Sequence, residues 1–119
     1  NYLDINFIPY FPLASGFLTG KYSKNHIPSN SRGEWATYMK KMLNTKHYHF
    51  IDELRLVATS YNISLTELSI SWLLHHSNIT SVICGVRNIE QLKTNAKSIN
   101  CKITKSDINN IDKIFNKYL

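Results

Sequence analysis

The feature that most constrains this chain is a β-prone run followed by a turn and a helix, and the pattern occurs only twice. The first run, Ile5 to Tyr10, feeds a Pro/Gly turn; the second, Ile79 to Cys84, is β-branched and bounded by Asn78 and Gly85. Pro9 removes a ladder donor, so it fits the end of a strand better than its middle. Repeated β-turn-α units set their strands parallel, and parallel strands are buried on both faces. Two strands cannot cover themselves. The sequence therefore calls for more strands, from an N-terminal portion, a second polypeptide or copies of itself.

At 119 residues the chain reads as one domain, 1–119, well short of the roughly 250 residues of a complete eight-fold β/α barrel. Its start at Asn1, close before the first strand-like run, is expected of a fragment or a processed chain. Between the two runs, Phe50, Ile51, Leu54, Val57, Ala58 and Tyr61 recur at helical spacing and predict a helix over 50–61. Ser64-Leu65-Thr66-Glu67 is a capping box that predicts a helix over 64–76, with apolar residues on more than one face. Asn88 with Gln91 predicts a helix over 88–98 carrying Leu92, Ala96 and Ile99, and Thr104 with Asp107 predicts one over 104–118. Glu34 to Leu43 is a further helix candidate. Ser23 to Gly33 is polar and reads as a loop long enough to have a function of its own.

Composition excludes several classes. The formal net charge is +6, but the cations are scattered, so no nucleic-acid-binding tail is expected. Cys84 and Cys101 are too few and too far apart for a disulfide scaffold or a Cys-X-X-Cys site and read as reduced, partly buried thiols. No apolar stretch approaches about 18 residues, so no membrane span is expected and the chain reads as cytoplasmic. His75-His76 closes a helix, where His favours the dipole and bonds free carbonyls, and no histidine has a metal-ligand spacing. Trp35 and Trp72 read as core or lid residues.

In parallel β/α folds, ligands sit beyond the carboxyl ends of the strands, and both Tyr10 to Lys21 and Gly85 to Asn95 lie at such ends. Gly85 lets backbone approach a phosphate, the next helix points its first amides there, and Arg87 adds a fork of donors suited to a phosphate monoester. Tyr10 at a strand end is a packing aromatic or a stacking platform, and the adjoining Pro-Leu-Ala-Ser-Gly string favours the platform. Lys21 and Arg32 are solvated loop charges or anion ligands, with Ser31 beside Arg32 favouring the second reading.

Taken in order, Pro12 through Tyr22, Arg32 after its polar stretch, and Val82 through Asn95 resemble the C-terminal portion of aldo-keto reductases, in the branch that includes potassium-channel β-subunits. The likeness runs from Ile5 to about Phe115. It implies a C-terminal fragment of a (β/α)8 TIM barrel, with two strands and four to five helices here, binding NADP(H). By that resemblance Tyr10 stacks on the nicotinamide, and Pro12, Leu13, Ser15 and Gly16 line the pyrophosphate and ribose. Lys21 with Ser31 and Arg32 forms a belt over the cofactor. Gly85, Val86 and Arg87 hold the adenosine phosphate, while Gln91 and Asn95 meet the ribose and adenine. Phe11 stands where relatives usually have Ser, Cys84 where Pro or Leu is common, and Thr94 where a Glu often reads adenine.

The family's catalytic Asp, Tyr, Lys and His all precede this region, so no catalytic residue is assigned. The resemblance implies the cofactor-binding part of an NADPH-dependent reductase of aldehydes or ketones, not catalytic alone. Its carbonyl substrate would require completion by the N-terminal part, and self-association or a complementary chain is expected. The alternatives are a noncatalytic nucleotide-binding or regulatory module, and a self-assembling remnant.

Overall fold

The computed structural model describes residues 5–119. Among the described residues, six α-helices, α1 (Arg32–Trp35), α2 (Thr37–Met42), α3 (Thr45–Ser60), α4 (Leu65–His75), α5 (Ile89–Lys97) and α6 (Lys105–Tyr118), are accompanied by 3-10 segments at Ala14–Thr19 and Ser98–Asn100. The core lies where α3, α4 and α6 meet. Phe50, Leu54, Leu68 and Ile111 are fully buried there, and Phe17 and Met39 reach it from the preceding segments. Phe50 is its centre, stacked on Phe17 at 6.1 Å and edge-on to Phe115 at 5.0 Å between ring centroids.

The caps explain the helix boundaries. Ser64 and Glu67 close the capping box at α4 in both directions, and Thr104 accepts the Asp107 amide at α6. At α5, Asn88 accepts the Gln91 amide, while the Gln91 side chain reaches past the cap to the amide of Arg87. α3 starts at Thr45 rather than at residue 50 because Asn44 accepts the His47 amide at 3.1 Å. That cap precedes the apolar stripe, so the stripe alone misplaces the start. The helix expected over Glu34 to Leu43 is broken at Ala36, whose extended backbone (φ −82°, ψ 118°) turns Ala36 and Met39 into the core.

The two expected strands do not form as strands. The runs meet only at isolated parallel bridges, Phe7 with Ile79 and Tyr10 with Ile83. Three backbone bonds join them: Phe7 N to Asn78 O (2.7 Å), Thr80 N to Phe7 O (3.2 Å) and Ile83 N to Pro9 O (3.0 Å). Pro9 has no amide to donate, and Phe11 enters the left-handed region at φ 67°, so the pairing ends at once. Among the described residues no further strand lies alongside, and Phe7, Ile8, Tyr10 and Ile83 are left exposed.

Other expectations divide similarly. α4 is buried on several sides through Leu65, Leu68, Ile70 and Ser71, the last donating to Ser98 O at 2.6 Å. α5 buries none of its residues, and Ile89, Leu92 and Ile99 are exposed, contrary to the apolar stripe read for that helix. Trp72 packs face to face on Phe115 and donates to Asp112, whereas Trp35 is exposed. His76 does not bond a carbonyl through Nε2, which is buried without a partner; its ring stands edge-on to Trp72. Cys84 and Cys101 are free and half-buried, and burial pushes the Cys84 thiol up.

Candidate functional site

The chain leaves Tyr10 through a tight coil. Phe11, Ala14 and Ser15 adopt positive φ (67°, 45° and 59°), followed by Gly16 at 87° and Gly20 at 73°. A non-glycine residue in that region costs on the order of 1–2 kcal/mol, and such strain concentrates where geometry serves a ligand. Backbone bonds hold the coil: Gly16 N to Leu13 O (2.8 Å) and Leu18 N to Leu13 O (3.2 Å). The Thr19 hydroxyl donates to Gly16 O at 2.7 Å.

Two cations converge on this coil. The Lys21 side chain lies against Gly16, where an added Cβ would stand 2.5 Å from Lys21 Cε and 2.7 Å from Nζ. Arg32 arrives from the far end of the polar loop. Its Nη1 donates to Ser15 Oγ at 3.0 Å, and its guanidinium lies 5.5 Å from the Phe11 ring centroid. Ser15 Oγ also meets Tyr38 Oη at 2.6 Å. Beside Arg32, the Ser31 hydroxyl is buried and has no hydrogen-bond partner among the described residues. The structure thus brings Ser15, Gly16, Lys21, Ser31 and Arg32 into one neighbourhood.

Pro12 and Leu13 are half-buried on the same coil. Tyr10 is 81 % exposed. It lines an apolar cavity of about 250 Å³ with Pro9, Phe11, Pro12, Leu18 and Trp72. Gly85, Val86, Arg87 and Gln91 are exposed and Asn95 is half-buried. The Tyr10–Ile83 bridge roots this second group beside the first. Among the described residues no hydrogen bond joins side chains of one group to those of the other. A Cβ at Gly85 would meet nothing of the described residues within 4 Å.

Sequence reasoning passed over Tyr22, Gly33, Tyr38 and the role of Phe11. Tyr22 is buried, donates to Ser15 O at 3.1 Å and accepts from Gly33 N at 3.2 Å. Such bonds join positions far apart in sequence, and no local pattern announces them. No group of three or more metal-ligating side chains is assembled among the described residues.

Parallel bridges, a strained Pro/Gly coil after one run, two cations held against it and a glycine turn after the neighbouring run lie side by side. The chain belongs to the aldo/keto reductase family, whose model matches residues 1–116; that family is built on the β/α barrel. Similar proteins include the "probable voltage-gated potassium channel subunit beta" of Oryza sativa subsp. japonica, 35% identical over 91 residues that span 74% of this chain and 28% of the relative. The protein of the same description in Arabidopsis thaliana is 33% identical over 102 residues (80% and 30%). L-glyceraldehyde 3-phosphate reductase of Escherichia coli (strain K12) is 35% identical over 98 residues (78% and 28%). The chain thus spans under a third of the length of the curated relatives it matches. Among the described residues no helix is long and apolar enough to cross a membrane.

Proposed function

We propose that this chain is the cofactor-binding C-terminal portion of an NADPH-dependent aldo-keto reductase barrel. The observation that carries this reading is the closure of Arg32 onto Ser15, with Lys21 against Gly16: two loop cations are held over a strained coil at a strand end. The residues present fit a dinucleotide. Lys21 and Arg32 supply positive charge, Ser31 an unspent buried hydroxyl, and Gly85 an open turn beside Arg87. Pro12, Leu13, Ser15 and Gly16 line the pyrophosphate side, Tyr10 offers an exposed ring to the nicotinamide, and Gln91 and Asn95 face the adenosine end.

When bound, the nicotinamide supplies the hydride for reducing an aldehyde or ketone. This chain orients the dinucleotide and clamps its phosphates; the family's Asp, Tyr, Lys and His have no counterparts here. The exposed Phe7, Ile8, Tyr10 and Ile83 mark where further strands pair, from the rest of a barrel or a second copy. NADPH titration followed by its fluorescence tests the reading. Binding that weakens in Arg87→Ala supports it, and no binding at millimolar cofactor refutes it. NADPH turnover with a reactive aldehyde by the 119-residue chain alone would refute the division of labour. A noncatalytic nucleotide-binding role is the second reading, favoured by the channel-subunit descriptions of two relatives; an intact protein that binds NADPH without turning over aldehydes would establish it.

A further inference from the structure

We propose that Tyr22 is a positioning residue that holds the phosphate clamp closed before any ligand arrives; the proposal rests on the dinucleotide reading above. Tyr22 is 2 % exposed, within the core cluster. Its hydroxyl donates to the carbonyl of Ser15 on the strained coil and accepts from the amide of Gly33, the residue after Arg32. Its ring face lies 5.1 Å from Lys21 Nζ. One buried side chain therefore touches the coil, the belt and the first cation.

Without that hydroxyl, the contacts left between belt and coil among the described residues are those of the Arg32 guanidinium with Ser15 Oγ and the Phe11 ring, and the Ser15 carbonyl and Gly33 amide lose their shared partner. The ring is also why residue 33 is glycine, since a Cβ there would stand 2.5 Å from Tyr22 Cε1. The lock orders Lys21 and Arg32 in advance. Side chains that must be ordered again on binding weaken phosphate binding by about tenfold.

The test is Tyr22→Phe in the intact protein, which keeps the ring and removes the oxygen. NADPH affinity is measured by fluorescence across a salt series, and amide hydrogen exchange is followed without cofactor. Expected are about tenfold weaker binding with the same dependence on salt, since the cations still meet the phosphates once ordered, and faster exchange at Gly33 with α3 still protected. A variant that only lowers the folded fraction also speeds exchange throughout α3, and that result would overturn the proposal. So would unchanged affinity, or unchanged Gly33 exchange, in a protein that binds NADPH. Failure of the wild type to bind NADPH would instead overturn the dinucleotide reading and the proposal together.

Discussion

Replacing Gly33 with alanine sets two known effects against each other at the centre of the site. Gly33 lies in α1 and does not use the left-handed region, so helix propensity alone makes Gly33→Ala stabilising by up to about 1 kcal/mol. Sterics point the other way. The new Cβ would stand 2.5 Å from Tyr22 Cε1, 3.0 Å from its Cδ1 and 3.1 Å from Ile27 Cγ2, whereas carbon contacts are most favourable at about 3.5–4.0 Å. The Tyr22 ring must retreat by about 1 Å to restore that spacing, yet it is buried and its hydroxyl is held at both Ser15 and Gly33. Overpacking of this kind costs about 1–3 kcal/mol, so the net effect is a loss of roughly 1–2 kcal/mol. In thermal unfolding followed by circular dichroism, that is a fall in Tm of about 5–10 °C. In a Tyr22→Ala background most of the penalty should vanish, because the clashing atoms are gone. A Gly33→Ala protein as stable as its parent would refute the reasoning, as would two substitutions whose effects simply add.

Phe50→Ala, at the fully buried junction of three aromatic neighbours, should cost about 3–5 kcal/mol by chemical denaturation. Ser64→Ala breaks the capping box of α4 and should cost about 1 kcal/mol, with little further loss when Glu67→Ala is added. The Asp107 carboxyl is held below its ordinary range by the Tyr61 hydroxyl first and the Thr104 hydroxyl second, and Glu53 likewise by Lys117 and Tyr118. Both folded-state values are lowered, so this stability is present above the unfolded pKa of about 4 and is lost as pH falls through the folded values. Tm measured between pH 6 and pH 2, both chosen to bracket about 4, should therefore fall less steeply in Asp107→Asn than in the wild type.

Much of the helical frame was legible because its signals are local. Ser64 with Glu67, Thr104 with Asp107 and Asn88 with Gln91 each begin a helix within a few residues of the atoms they cap. The strands were not, since a strand exists only through its neighbours: Ile79 to Cys84 has the right composition, yet among the described residues it meets its partner at two bridges and nothing more. α5 forms where its cap places it, but its apolar stripe is uncovered in space for the same reason.

The sequence by itself determined the capped starts of three helices and the family, because each depends on residue type at short spacing or on a motif read along the chain. Only the tertiary structure decided that Arg32 closes on Ser15 across the polar loop, that Tyr22 ties both together, and that Gly33 is a steric necessity. Those relations come from packing between segments distant along the chain, where the core formed by Phe17, Tyr22 and Met39 selects one approach of the belt.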